Sequence, residues 1–462
     1  MDNRTIEERR RDREKYNEIV YRKNAMIIFT KAPISNNVKT RLGPQLSKDE
    51  RASLQRLFLV NILEQIKLDV DVFICYDSEK GALANLEAIF GSGCIYFVQE
   101  GEDLGERMRD AFDKTFKWGY EKLLLIGTDV PEFTTEIFRE AFNILNHKDF
   151  VFTPSPDGGY SLVGMKKRAD EIFTLDEYSH CNVLKETLIK IKESGKTYGL
   201  TEELKDIDVY DDLMGYLQRM EDKGKENNIS SFVKGLKKIS IIVPIYNEEK
   251  TIEGLIEQLE PVKGAVEIIF VDGGSTDNSL SLIPDDYKLL KAGKGRALQM
   301  NAGAMESTGD ILFFLHADSV LPEDFLDEIK KANKASRVGA FGVKYDSPNF
   351  FMHTTRWISN WRTSLFGIVF GDQGMFIDRD LFFDMGMFKE IPIMEDVEFS
   401  ERLRARGIKV RLTSDRILTS DRRFPKGTVA KLKFMWKMNR LRKMYRDGVD
   451  LDKISNMYRD ER

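Results

Sequence analysis

The stretch from Ile239 to Asp277 restricts the possible folds more than any other part of the chain. It opens on an apolar, β-branched run, Ile239-Ser-Ile-Ile-Val243, that stops at Pro244-Ile-Tyr-Asn-Glu248, as a buried strand feeding a loop does. A helix is predicted next. Thr251 stands at its cap position, Glu253 sits near its start, and Ile252, Leu255, Ile256 and Leu259 repeat at helical spacing. A second strand, Val266 to Val271, then ends on Asp272-Gly-Gly-Ser-Thr-Asp277. Strand, loop, helix, strand, loop, with polar groups after both strands, is a unit of an open α/β sheet, whose ligands bind at the carboxyl ends of the strands. An Asp directly after a strand accepts from the N–H donors of a base or ribose, and the glycines let the backbone approach a diphosphate. On its own, Asp-Gly-Gly-Ser reads equally well as an ordinary turn.

Further motifs follow in the same half. Lys291-Ala-Gly-Lys-Gly-Arg-Ala-Leu-Gln-Met-Asn-Ala-Gly303 is a glycine-spaced helix start bearing Lys294, Arg296 and Gln299, suited to a diphosphate or base. Gly309 to Leu315 is a strongly apolar strand that ends on His316-Ala-Asp318. A strand is predicted at Val338 to Val343, then an aromatic stretch with Phe350, Phe351, Trp357 and Trp361; packing under a helix is preferred there to stacking on a sugar. Gly371-Asp-Gln-Gly-Met-Phe376 and Ile393-Met-Glu-Asp-Val-Glu-Phe399 complete the set, before a short strand predicted at Lys409 to Leu412.

In this order the motifs resemble those of the family 2 glycosyltransferases, enzymes of the GT-A fold. The carriers are Pro244-x-Tyr246-Asn-Glu248, Asp272-Gly-Gly-Ser275-x-Asp277 and the Glu395-Asp396 pair. The loops around Gly295 to Gly303, Leu315 to Asp318 and Gly371 to Phe376 resemble a subgroup called radical-SAM/selenodomain-associated transferase 2. The resemblance implies a metal-dependent, inverting transfer from a nucleotide-diphosphate sugar, with Asp396 as general base on the acceptor. It implies a donor site made of Pro244, Tyr246, Glu248, Asp272, Gly273, Ser275, Lys294, Arg296, Asp318, Gly371, Asp372, Gln373 and Glu395. Asp318 would hold Mg²⁺ or Mn²⁺ where family members show Asp-x-Asp. His316 replaces the first acid, as a second ligand or as a neutral hydrogen-bond partner.

The first half has a similar rhythm with different residues. Strands are predicted at Ala25 to Phe29, Val70 to Tyr76, Cys94 to Gln99, Lys122 to Ile126 and Phe150 to Thr153, with helical patterns between them, so a mostly parallel sheet is expected. Lys31, Lys39 and Arg41 stand where the first strand gives way to a helix, and cations there suit a phosphate. Asp129 follows a strand directly, Pro156-Asp-Gly-Gly-Tyr-Ser161 is a glycine turn able to admit a sugar or base, and Asp206-Ile-Asp208 closes the series. These residues, with Asp103-Leu-Gly105 and Arg107-Met108, resemble a family called radical-SAM/selenodomain-associated transferase 1, which is similar to nucleotidyltransferases. The resemblance implies that Lys31, Lys39, Arg41, Asp103, Arg107, Asp157, Gly158 and Gly159 contact a nucleotide and that Asp129 and Asp208 hold Mg²⁺. On that resemblance this half forms an activated sugar for the second; the rival reading is a binding or dimerisation module with no chemistry. A third assignment makes this half the active one beside a degenerate transferase. Ser35-Asn-Asn37 stands where the nucleotidyltransferases have glycine.

Length and charge set the outer limits. A chain of 462 residues suggests two or three domains. The expected divisions are a charged helix over 1–24, a nucleotidyltransferase-like domain over 25–220, a Lys-rich linker over 221–238, a GT-A domain over 239–425 and a basic helical tail over 426–462. With 42% apolar and 32% charged residues and a formal charge of −5, a cytoplasmic globular protein with no nucleic-acid partner is expected. No run approaches a membrane span. Three scattered cysteines, expected to be buried, and four histidines show no metal-ligand spacing. Phe434, Met438, Leu441 and Tyr445 form a stripe on a basic helix at 428–445. The stripe suits packing onto its own domain, and contact with anionic lipid carrying the acceptor is the alternative to a small-molecule acceptor.

Overall fold

The structure is a computed structural model that describes residues 23–34, 37–169, 171–175, 178, 181–345, 350–419 and 428–459. Apart from residues 23 and 24, the expected N-terminal helix lies outside these. Two compact units meet between Gly235 and Leu236. Residues 221–238, expected as a linker, contain the end of the helix Tyr210–Asp222 and all of Asn228–Lys234.

The first unit is built on a sheet of β1 (Asn24–Thr30), β2 (Asp71–Tyr76), β3 (Ile95–Val98), β4 (Lys122–Gly127), β5 (Phe150–Pro154), β6 (Tyr160–Met165) and β7 (Tyr198–Leu200). Their order is β3-β2-β1-β4-β6-β5-β7, with only β6 antiparallel to its neighbours. The apolar run of β1 has no polar face because both faces of the sheet are covered. Met26 and Ile28 join one core with Leu59, Ile62, Phe138 and Leu145, and Ala25 and Ile27 join another with Phe112, Phe173 and Ile191.

The second unit contains β8 (Ile239–Ile245), β9 (Glu267–Asp272), β10 (Lys288–Lys291), β11 (Ile311–Phe314), β12 (Ser319–Val320), β13 (Val338–Tyr345), β14 (Met375–Asp378) and β15 (Val410–Thr419). The order is β10-β9-β8-β11-β14-β13-β15-β12. Again four parallel strands are followed by one antiparallel strand, β14, so the two sheets share one plan apart from the short β12. Alternate residues of β8 divide between two cores, Ile241 and Val243 facing Leu255 and Phe325, Ile242 facing Met300 and Phe382. In both units the strand order reverses beside the first strand, which opens a crevice at the strand ends where the polar motifs stand.

Three details differ from expectation. The last strand is β15, ten residues long rather than four. Trp357 and Trp361 are 72% and 61% exposed, so they do not pack under a helix, and the side chains of Phe350 and Phe351 lie outside the described residues. Of the cysteines, Cys75 is buried, Cys94 half-buried and Cys181 exposed.

Candidate functional site

In the second unit the loops after β8 and β9 are stitched to one another. The carboxylate of Asp272 is buried and turns back on its own loop, accepting from the backbone N–H groups of Gly274 at 3.1 Å and Ser275 at 2.9 Å. Ser275 Oγ accepts from Asn247 N at 3.0 Å, and Asn247 Oδ1 accepts from Thr276 N at 2.8 Å. Asn247 holds φ at 56°, a left-handed geometry that Asn tolerates better than most side chains. Glu248 N donates to Ser279 Oγ at 2.6 Å, and the Glu248 carboxylate accepts from Thr251 at 2.7 Å. Pro244 is buried within β8, and Tyr246, half out in solvent, carries Lys294 over its ring and receives a hydrogen bond from it at 2.7 Å.

The helix Arg296–Met305 ties this edge together from below. Gln299 is buried and donates to the carbonyls of Ile245 and Val271 at 2.7 and 2.8 Å, clamping the ends of β8 and β9. A Cβ on residue 273 would lie 2.9 Å from that side chain, so Gly273 is required by close approach. At the start of the same helix, Arg296 Nε pairs with Glu395 Oε1 at 2.8 Å.

Glu395 and Asp396 open the helix Glu395–Ala405, and the preceding Met394 holds φ at 71°. A buried methionine in this left-handed conformation is strained. Burial pushes the Glu395 carboxyl above the usual range, against the pull of Arg296 and with the push of Asp396. Asp396 accepts from Gly371 N at 2.8 Å and from its neighbour Val397 N at 2.7 Å. A Cβ on residue 371 would stand 2.7 Å from His316 Nε2 and 3.4 Å from Arg296 Nη1. His316, Gly371, Glu395 and Asp396 therefore line one small pocket with Phe370.

Asp318 lies in the turn between β11 and β12, where Ser319 N donates to His316 O at 3.2 Å. Asp372 stands in the turn Gly371–Gln373. Gln373 has no exposed surface. Its carbonyl oxygen accepts from Arg362 at 2.8 Å, Thr363 at 3.0 Å and Phe370 N at 3.1 Å, so it acts on the site through the loop it holds.

In the first unit the expected cations meet the expected acids. Lys39, with φ at 47° and a side chain only 4% exposed, pairs with Asp129 at 2.8 Å and donates to Ile207 O. Arg41 pairs with Asp208 at 2.7 Å. Asp206, next to them, is pushed up to about 6 by burial and by Asp157, Asp208 and Asp129. Lys31 is exposed after β1. Asp103 caps the helix Leu104–Phe116 through Glu106 N at 2.8 Å, and Arg107 donates to Gly101 O at 3.0 Å. Asp157 closes its own turn on Ser155 and Gly159 N. Gly158 has φ at 89°, and a Cβ there would fall 1.8 Å from the carbonyl oxygen of Cys181, so its missing side chain makes room for backbone. Gln55, not singled out from the sequence, is buried and donates to the hydroxyls of Thr30 and Thr128 at the ends of β1 and β4, while Gln99 donates to the carbonyls of Thr30 and Cys75 at β1 and β2, as Gln299 does to those of β8 and β9. A lone Gln within a helical repeat carries no sequence signal.

No three acidic, His or Cys side chains among the described residues are grouped to hold an ion unaided. The donor sets fit a hard cation shared with phosphate: Mg²⁺ takes one or two carboxylates and completes its shell with substrate oxygens and water. In the second unit the carboxylate in the turn after β11 is Asp318. In the first, burial and then the neighbouring Asp157, Asp208 and Asp129 raise Asp206, and a cation there would relieve the repulsion among them.

Residues 240–391 match the family described as Glycosyl transferase family 2, and residues 63–180 match one described as Uncharacterized protein conserved in bacteria (DUF2064). Among curated proteins, an undecaprenyl-phosphate 4-deoxy-4-formamido-L-arabinose transferase of Yersinia pestis (strain Pestoides F) is 34% identical over 102 residues, 19% of this chain and 31% of that one. The match thus spans about a third of the relative's length. Among solved structures, a putative nucleotide-diphospho-sugar transferase from Desulfovibrio desulfuricans G20 aligns at 28% identity and a TM-score of 0.44, covering 46% of this chain and 94% of that one. Glucosyl-3-phosphoglycerate synthase from Mycobacterium tuberculosis aligns at 18% identity and a TM-score of 0.35, covering 47% and 82%.

Proposed function

Since this chain joins a DUF2064 domain to a family 2 glycosyltransferase domain, we propose that its second unit transfers a sugar from a nucleotide-diphosphate donor to an acceptor hydroxyl with inversion. The observation that carries this reading is the Arg296–Glu395 pair, which joins the donor-side helix start to the acid helix that bears Asp396. Asp272, Gly273 and Ser275 would receive the nucleoside, and Lys294, held on Tyr246, would meet the diphosphate. Asp396, oriented by Gly371 N–H, takes the proton of the acceptor hydroxyl as that oxygen bonds to the anomeric carbon. The bond to the diphosphate breaks with its electron pair on the leaving oxygen. Asp318, with His316 beside it in sequence, would hold Mg²⁺ or Mn²⁺, which when bound neutralises the departing diphosphate.

Asp396→Asn should lower transfer by roughly 10²- to 10⁴-fold, the range general bases supply, with donor affinity unchanged by calorimetry. Donor affinity lost along with turnover would remove Asp396 from the base role. Asp318→Asn should abolish the metal dependence of nucleoside-diphosphate binding; persistence of that dependence would move the cation elsewhere.

For the first unit we propose formation of the activated sugar from a nucleoside triphosphate and a sugar phosphate, releasing pyrophosphate. Asp129 and Asp208 would hold the cation, and Lys39 and Arg41, freed from them, would meet the triphosphate. The same ion pairs favour a second reading, a binding module whose charges are already satisfied. Pyrophosphate release lost in Asp129→Ala supports the first. Release by neither protein, with transfer unchanged in the variant, supports the second.

A further inference from the structure

From Thr428 the chain forms two helices joined by a short turn, Thr428–Arg446 and Leu451–Arg459. Gly448, at φ 77°, ends the first in a left-handed turn that a glycine takes without strain, and Val449 N donates back to Met444 O at 3.0 Å. Asp450 caps the second by accepting from Lys453 N at 3.0 Å. Apolar residues at helical spacing, Met438, Leu441 and Tyr445 on one helix and Ile454, Met457 and Tyr458 on the other, meet in a single cluster. Leu441 and Ile454 are buried there with Ile393, Met394 and Val397.

The residues gripped by this cluster flank the proposed base. Met394, at φ 71°, immediately precedes Glu395 and Asp396, and a strained backbone persists only where packing holds it. Val397 follows Asp396 and donates its N–H to that carboxylate at 2.7 Å. Phe370, also packed on the cluster, immediately precedes Gly371, whose N–H meets Asp396 at 2.8 Å. Both partners of that hydrogen bond are therefore seated on the C-terminal helices through neighbouring residues. Two further contacts fix the seat: Arg442 lies over the Phe370 ring at 4.2 Å from its centre, and Arg446 pairs with Glu401 of the helix Glu395–Ala405 at 2.9 Å. The end of the second helix reaches the Arg296–Glu395 pair. Desolvation draws Arg296 down, and Glu395, Asp396, Tyr458 and Asp372, in that order, hold its guanidinium charged above the ordinary arginine value.

We propose that the two C-terminal helices belong to the reaction centre, with Leu441, Ile454 and Tyr458 as positioning residues that hold Asp396 against Gly371. The proposal deepens the transferase reading and rests on the base role given there to Asp396. Two measurements on the full-length protein test it. In the first, amide exchange is followed by mass spectrometry in Leu441→Ala and Tyr458→Ala. Exchange over 367–374 and 392–400 should quicken at least about tenfold while β8 and β9 keep their protection, since local openings need not spread to a separate core. In the second, nucleoside diphosphate release is measured with UDP-glucose, UDP-N-acetylglucosamine and GDP-mannose in the presence of Mn²⁺, water serving as acceptor. Both variants should lose roughly tenfold to a hundredfold in kcat with donor KM nearly unchanged, as when a reacting group is misplaced rather than a binding group removed. Leu441→Met, which conserves volume, should rescue turnover and protection together. Should Leu441→Ala fail to fold, Tyr458→Ala, at a half-buried position on the edge of the cluster, carries both measurements. Unchanged exchange over 367–374 and 392–400 in the folded variants would overturn the proposal. Equal quickening over β8 and β9, or kcat left at the parent value, would overturn it as well, by reducing the helices to general support. Exchange needs no turnover, so a parent that releases nothing from the three donors counts against the transferase reading while the brace is still decided by protection.

Discussion

Residue 371 shows how tightly the second site is assembled. Its N–H orients Asp396, and the place where a Cβ would go is filled by His316 and Arg296. Gly371→Ala must push the imidazole aside, so a stability loss of about 1–3 kcal/mol is expected, as for other overpacked sites, with a fall in turnover. If the clash is with His316, adding His316→Ala should restore much of the lost stability, and chemical denaturation of the two single variants and the double variant measures the coupling. Simple additivity would place the strain elsewhere. The role of Gly371 was visible in the sequence only as one letter of a motif. Its reason depends on His316, 55 positions earlier, and no local pattern carries that. The same holds for Gly158, which the sequence suggests as room for a sugar and which in the structure makes room for the carbonyl of Cys181.

At the scale of elements, the strand ends were the legible part. Apolar runs that stop at Asp272, Asp318 and Asp129 announce buried strands with polar carboxyl ends, because burial on both faces leaves no room for polar residues within the strand. Helices read less well where their two faces serve different purposes. The stripe through Met438 and Leu441 was readable as packing, whereas the cavity that Arg362, Arg404, Arg442 and Arg446 line draws on three helices spread over 85 positions and has no signature in the chain. Helix docking in the first unit gives a test of charge. Glu132, just after β4, accepts from Arg219 at 2.7 and 3.0 Å and from Lys223 at 3.2 Å, which fastens the helix Tyr210–Asp222 to the strand end. Burial alone would raise its carboxyl, and the two cations more than offset this, so it titrates below the usual glutamate range. A depressed carboxyl stabilises the fold above the unfolded glutamate value of about 4.3 and stops doing so as pH falls through the folded value. Glu132→Gln should therefore cost about 1–2 kcal/mol at neutral pH and progressively less in acid, as read by urea titration across that range. A cost independent of pH would mean that shape, not charge, holds the helix.

At the scale of the whole molecule, the two units repeat one plan with unrelated residues. Four parallel strands and then one antiparallel strand occur in each, with a glutamine amide that donates to the carbonyls of the first two strands, Gln99 to Thr30 and Cys75 and Gln299 to Ile245 and Val271. Each unit owns a complete sheet and cores on both faces, and the clusters that bury Ile27 and Ile28 share no residue with those that bury Ile241 and Ile242. Folding stability scales with the apolar surface a unit buries for itself, and units of 235 and 227 residues are each within the range of an independent domain. The chain should accordingly unfold in two separable transitions by calorimetry. A nucleoside diphosphate should raise the midpoint of only one of them, by mass action on the folded form. Asp272→Ala should abolish that shift and leave the other transition where it was. Because Asp272 hydrogen-bonds its own loop, the variant will also lower the midpoint of its own unit somewhat before any ligand is added. A single cooperative transition, with both halves responding to one ligand, would instead make the two units one thermodynamic body, and the activities proposed for them would then have to be measured on the intact chain alone.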